Sequence, residues 1–97
     1  MRQLTNQELR KKFGTFIYEG RVKKKLYQRE VAKEIGITQA NYSQIERGVR
    51  EPNLTTIMDI CKVLDLDFSE FLETVTKRRK VPQRYQTSDE EENLTMF

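Results

Sequence analysis

The chain has 97 residues, room for one small domain, and a formal charge of +3 from 18 Lys/Arg against 15 Asp/Glu. It has no histidine and a single cysteine, Cys61, which excludes Ser-His-Asp and Cys-His catalysis, the usual zinc ligand sets and an intramolecular disulfide. No apolar run approaches the ~20 residues of a membrane span, and "MRQLTNQELRKKF" lacks the apolar centre of a secretion signal, so a cytoplasmic protein that does not enter a membrane is expected.

The first helix opens at Thr5-x-x-Glu8, a capping-box pattern. Leu9, Phe13, Phe16, Ile17 and Gly20 then share one face, and the helix should end near Lys24. The stretch "YQREVAKEIG" is a second helix, with Val31, Ala32 and Ile35 inward and Gly36 as its stop. A third runs from about Thr38 to Arg47, with Thr38 as its N-cap and Gly48 as its stop. After the loop "VREPN", a fourth helix carries Leu54, Ile57, Ile60, Cys61 and Leu64 on one side. A fifth starts at Asp67-x-x-Glu70, a second capping-box pattern, with Phe68, Phe71, Leu72 and Val75 as its apolar stripe.

No convincing strand pattern, internal repeat or glycine-rich phosphate loop occurs. The fold class is therefore all-α: a compact domain of five helices over residues 6–76. Residues 77–97 read as a flexible tail, basic at "KRRK" and then acidic, and residues 1–4 as frayed. Charge divides four residues later, after "KRRK". Residues 1–80 hold 17 Lys/Arg and 11 Asp/Glu, a balance of +6, while residues 81–97 hold one Arg and four acids, a balance of −3. A basic body points to a polyanionic partner such as nucleic acid.

The third helix is unusual in its outward face. At about 100° per residue, Tyr42, Ile45 and Glu46 turn toward the body of the domain, and Ala40, Ser43, Gln44 and Arg47 turn away. The outward face is short and polar and carries no carboxylate, as a surface approaching phosphates closely would require. A Gln can pair with both N6 and N7 of adenine, and an Ala methyl can meet a thymine methyl. Arg47 and Arg50, at the helix end and in the next loop, are placed to reach phosphates. Glu46 borders the apolar stripe, so its carboxylate must be paired or reach solvent at the rim. Arg21, four residues after Ile17 on the first helix, is the natural partner.

These residues carry a family resemblance. Gln28, Val31-Ala32, Ile35-Gly36, Thr38, Ile45-Glu46-Arg47-Gly48, Arg50 and Pro52, followed by an amphipathic helix, resemble the helix-turn-helix domain of the phage lambda repressor and Cro type, the XRE family, over residues 17 to about 72. The resemblance implies a five-helix domain with the third helix in the DNA major groove. It implies that Gln28 touches a phosphate and buttresses Gln39, and that Gln39, Ala40 and Gln44 face base edges. It further implies mixed backbone and groove contacts for Asn41, Ser43, Arg47 and Arg50, and a structural ion pair between Arg21 and Glu46.

The sequence departs from that pattern in places. Tyr27 stands where a Ser, Thr or Asn cap is usual, Lys25 replaces a Gly after the first helix, and Gly20 stands where a Leu is common. Tyr42 replaces a smaller aliphatic residue and is either core or a phosphate contact through its hydroxyl.

The function expected is a sequence-specific regulator of transcription, a repressor acting on double-stranded DNA with an inverted-repeat site and no cofactor or metal. The alternative is an antitoxin or controller-type protein, whose main partner is another protein held by the fifth helix or the tail. Catalysis is not expected, because the pairs Glu30/Glu34 and Asp65/Asp67 read as solvated surface. One recognition helix reads few base pairs, so a homodimer is expected. Its contacts are placed at Leu66, Leu72 and Val75, with Phe68 and Phe71 either joining them or packing inward on Phe13 and Leu64.

Overall fold

The computed structural model describes residues 4–76, so the expected flexible tail at 77–97 lies outside the described residues, as do residues 1–3. Five helices follow one another: α1 (Asn6–Lys23), α2 (Gln28–Ile35), α3 (Gln39–Glu46), α4 (Leu54–Val63) and α5 (Phe68–Thr76). There is no strand among the described residues.

Local chemistry sets most of the boundaries. Thr5 Oγ1 accepts from the Glu8 amide at 3.1 Å while Glu8 Oε1 accepts from the Thr5 amide at 2.9 Å, completing the capping box. Thr38 and Asn53 cap α3 and α4 through the amides of Asn41 and Thr56, at 3.0 and 2.8 Å. Tyr27 gives α2 no side-chain cap, but Glu30 Oε1 accepts from the Tyr27 amide at 2.7 Å, so half of the reciprocal box survives. α5 departs from expectation. Asp67 Oδ1 accepts from the amide and hydroxyl of Ser69, at 3.0 and 2.7 Å, so its cap runs through Ser69 in place of the Asp67–Glu70 box.

The core forms where α1 crosses α3 and α5, and α2 crosses α3 and α4. Ile17, Val31, Tyr42, Ile45, Ile60 and Leu64 are its fully buried side chains. Both Phe68 and Phe71 turn inward onto Phe13, with ring centroids 6.2 and 5.4 Å away and planes near perpendicular. Leu4, expected to fray, packs against this core. Leu54 does the reverse. It lies at the edge of the α4 stripe, in the first turn after the Asn53 cap, and is 71% exposed.

One departure from the family pattern finds its reason here, and another its cost. Leu66, in the turn before α5, lies against Gly20, where a β-carbon would come within 2.8 Å of its methyl groups. Leu66 thus supplies from another element the bulk that a larger residue at position 20 would bring. Lys25 takes φ +59°, the left-handed turn conformation that glycine adopts freely and lysine adopts under strain.

Candidate nucleic-acid interface

α2 and α3 are joined by Gly36, at φ +80°, whose amide closes α2 on the Ala32 carbonyl at 2.9 Å. The turn brings the start of α2 beside the outer face of α3. Gln28, Gln39, Ala40, Ser43, Gln44 and Arg47 line one shallow concave surface there, and none of its lining residues is acidic. Gln39, Ala40 and Arg47 are exposed, while Gln28, Ser43 and Gln44 are partly covered by their neighbours. The surface therefore has amide donors and acceptors, one methyl, one hydroxyl and one cation on a rigid pair of helices.

Two expected residues sit differently. Arg50 is outside the concavity but joined to it, since its Nε donates to Gln44 Oε1 at 2.7 Å. Asn41 is only partly exposed, and its side-chain oxygen is buried without a hydrogen-bond partner among the described residues.

Beneath this surface lies the Arg21–Glu46 pair. Arg21 Nε and Nη2 donate to Glu46 Oε2 and Oε1 at 2.5 and 3.1 Å, a two-point contact. The side chains are 13% and 4% exposed, so the Glu46 carboxylate is paired inside the fold and does not reach solvent. Arg21 Nη1 also donates to the Leu26 carbonyl at 2.9 Å, which ties the α1–α2 turn to the same group. Gln28 Nε2 donates to Glu46 Oε1 at 3.0 Å. Gln28 thus belongs to the buried network as well as to the concave surface, and one of its two amide N–H donors is used inward.

Burial by itself would raise the Glu46 pKa. The hydrogen bonds from Arg21 and Gln28 outweigh it, and the carboxyl is held below its ordinary value of 4.5. The same hydrogen bond to Glu46 raises Arg21. Tyr42 is fully buried against this network, so it is core. Burial pushes its phenol well above the ordinary range, as does the neighbouring Glu46 carboxylate. Its hydroxyl lies by Glu46 without a hydrogen bond of standard geometry.

Gly14, which the apolar spacing of α1 does not single out, also shapes this site. A β-carbon there would strike the Glu46 carbonyl oxygen, so Gly14 sets how closely α1 approaches the end of α3. The only available signal was a glycine inside an otherwise helical pattern. The expected dimer contacts Leu66, Leu72 and Val75 differ in exposure. Val75 is 4% exposed and belongs to the core, and Leu66 is partly buried against Gly20. Phe71 and Val75, four residues apart on α5, face the core together, which leaves Leu72, 45% exposed, as the apolar side chain facing out.

No helix among the described residues is long and apolar enough to cross a membrane. The chain is similar to two curated proteins. One is an uncharacterized HTH-type transcriptional regulator, y4dL, of Sinorhizobium fredii (strain NBRC 101917 / NGR234). It is 46% identical over 43 residues, 44% of this chain and 22% of the relative. The other is an uncharacterized HTH-type transcriptional regulator, YqaE, of Bacillus subtilis (strain 168). It is 38% identical over 60 residues, 62% of this chain and 52% of the relative. The chain thus spans about half or less of the length of these relatives. Among solved structures, the clp gene regulator ClgR from Corynebacterium glutamicum superposes with a TM-score of 0.65 at 20% identity, over 91% of this chain and 89% of that one, which shows a shared fold. The helix-turn-helix family model matches residues 17–71, from the middle of α1 into α5, and encloses both the α2–α3 surface and the ion pair beneath it. With that match over more than half its length, the chain belongs to the XRE-type helix-turn-helix family.

Proposed function

We propose that this chain is a sequence-specific, double-stranded-DNA-binding regulator of transcription, a cytoplasmic repressor that places α3 in the major groove. The observation that carries this reading is the carboxylate-free concave surface of Gln28, Gln39, Ala40, Ser43, Gln44 and Arg47. Its amides match base edges, its methyl allows close approach, and Arg47 matches a phosphate. The regulator names of the two curated relatives agree with it. Residues 6–76 form the DNA-binding unit, Gln39, Ala40 and Gln44 read bases, and Asn41, Ser43, Arg47 and Arg50 hold the backbone and groove wall.

A single α3 covers only a few base pairs, so the working form is a homodimer on an inverted repeat, with the two recognition helices about 34 Å apart. Leu72 is the apolar side chain of α5 that a second copy can reach. It lies on the rim of an apolar groove formed with Leu9, Phe13, Pro52, Ile57 and Phe68.

Gel shifts test the reading, with the full chain on duplexes tiled across the DNA flanking its gene and on random duplex of equal length. One tile should bind on the order of 10³-fold more tightly than random DNA at physiological salt. Equal binding to every duplex would leave a non-specific DNA binder, and no binding at all would remove DNA as the partner.

A further inference from the structure

We propose that Arg50 is a specificity-determining positioning residue: it fixes the amide of Gln44 so that this side chain reads bases as a donor only, favouring guanine over adenine. The inference rests on the proposed reading of α3 as the base-reading helix.

The geometry is specific about the amide. A guanidinium has donors and no acceptor, so the Gln44 atom 2.7 Å from Arg50 Nε is the carbonyl oxygen. The NH₂ group is therefore the one left for the concave surface that Gln44 helps to line. The amide oxygen keeps a second lone pair, but a further donor using it would approach the Arg50 charge and be repelled.

The contact is built by the chain's own turn. The Val49 amide bonds back to the Gln44 carbonyl at 3.0 Å, and Gly48 takes φ +76°. That reversal returns Arg50 to the side of Gln44, six residues upstream. The turn is itself fixed against α1, because a β-carbon at Gly48 would come within 2.7 Å of the Lys11 α-carbon. Arg50 therefore leaves a braced loop, with Nε committed to Gln44 and its terminal nitrogens free to meet a phosphate.

The consequence follows from the edges that bases show in the major groove. A glutamine with both amide atoms free pairs with adenine, accepting from N6 and donating to N7. A glutamine with its oxygen occupied can only donate. Guanine offers two acceptors, O6 and N7, whereas cytosine offers a donor and is the worst match. The Arg50 contact thus turns Gln44 from an adenine reader into a guanine reader without touching the base.

Selection from a pool of randomised duplexes tests this, using the full-length wild type, Gln44→Ala and Arg50→Ala. Gln44→Ala identifies the base position concerned, as the one that loses its preference. At that position the wild type should favour guanine, and Arg50→Ala should shift the guanine-to-adenine ratio toward adenine by about tenfold, other positions holding. A thermal melt of Arg50→Ala overlaying the wild type shows that the fold is intact. The inference is overturned if Arg50→Ala weakens binding to every duplex and leaves that ratio unmoved, or if the wild type prefers adenine there. A wild type that enriches no sequence overturns the DNA-reading function itself, a different result from an unmoved ratio.

Discussion

The α-carbon of Gly14, in the middle of α1, faces the backbone carbonyl of Glu46 at the last turn of α3, with no room between them for a methyl group. The carbonyl carbon of Glu46 would stand 2.8 Å from a β-carbon at position 14, and the Ile45 carbonyl oxygen 2.9 Å. These are backbone atoms, which cannot turn aside as a side chain would. The contact that sets the depth of α3 is therefore the same one that presents the Glu46 side chain to Arg21.

Gly14→Ala should accordingly destabilise the fold, although alanine is the better helix former. The propensity gain is about 1 kcal/mol, while forcing a methyl into a closed backbone contact costs up to ~3 kcal/mol. A net loss of about 2 kcal/mol should appear in a urea titration as a lower midpoint at unchanged slope. A variant as stable as the wild type would show that α1 and α3 stand further apart.

Glu46 makes stability sensitive to acid. Its carboxyl is more acidic folded than unfolded, so its contribution is complete above its ordinary value of 4.5. That contribution disappears as pH falls through the lower folded value. Glu46→Gln should flatten the stability curve across that acid range. At neutral pH, Glu46→Ala should cost about 3 kcal/mol by leaving Arg21 buried and unpaired, and Arg21→Met with Glu46→Leu should recover much of it. Urea melts of the three variants at pH 7 and pH 3 give the comparison, and parallel pH profiles for wild type and Glu46→Gln would rule out the linkage.

Backbone strain should be removable at the turn between α1 and α2. Lys25→Gly relieves a left-handed lysine at φ +59° and should stabilise by about 1 kcal/mol after glycine's own entropy is deducted, a rise in melting temperature of about 4–8 °C. Asp65, at φ +55°, should gain less on the same change, because aspartate tolerates that region better than lysine. Calorimetric melts ranking Asp65→Gly above Lys25→Gly would contradict this order.

On DNA, the amide and the cation of the concave surface should separate. Gln39→Ala should lose about 1–3 kcal/mol on the specific site and little on random duplex. Arg47→Ala should weaken both and lower the slope of log K against log salt by about one. Gel shifts across a salt series distinguish them; equal losses for Gln39→Ala on both duplexes would make it a general contact.

Association should depend on Leu72. Placing a charge there, as in Leu72→Glu, leaves the core side chains Phe71 and Val75 in position and should abolish a dimer. Sedimentation equilibrium should show a concentration-dependent dimer for the wild type and a monomer for the variant. A wild type that stays monomeric at high micromolar concentration, and binds a half-site as tightly as the full repeat, would remove the dimer.

The five helices are legible in the amino-acid order alone, because the signals that start and stop them are local. Thr5, Thr38 and Asn53 reach amides three residues away, Gly36 takes a conformation that costs other residues energy, and apolar periodicity marks each buried face. That order also pointed to Arg21 as the natural partner of Glu46, because a carboxylate at the edge of an apolar stripe needs a cation or solvent, and the fold settled the choice by burying the two side chains together. How the helices meet is a property of the folded chain. That Gly14 admits the Glu46 backbone, that Leu66 fills the space over Gly20, and that Val75 turns inward while Leu72 does not, all depend on crossings between elements distant in sequence. The same holds for the polar groups at the interface. Gln28 donates to Glu46 and Arg50 to Gln44 because chain reversals bring them together, and no spacing along the chain encodes which atom of an amide such a neighbour will occupy.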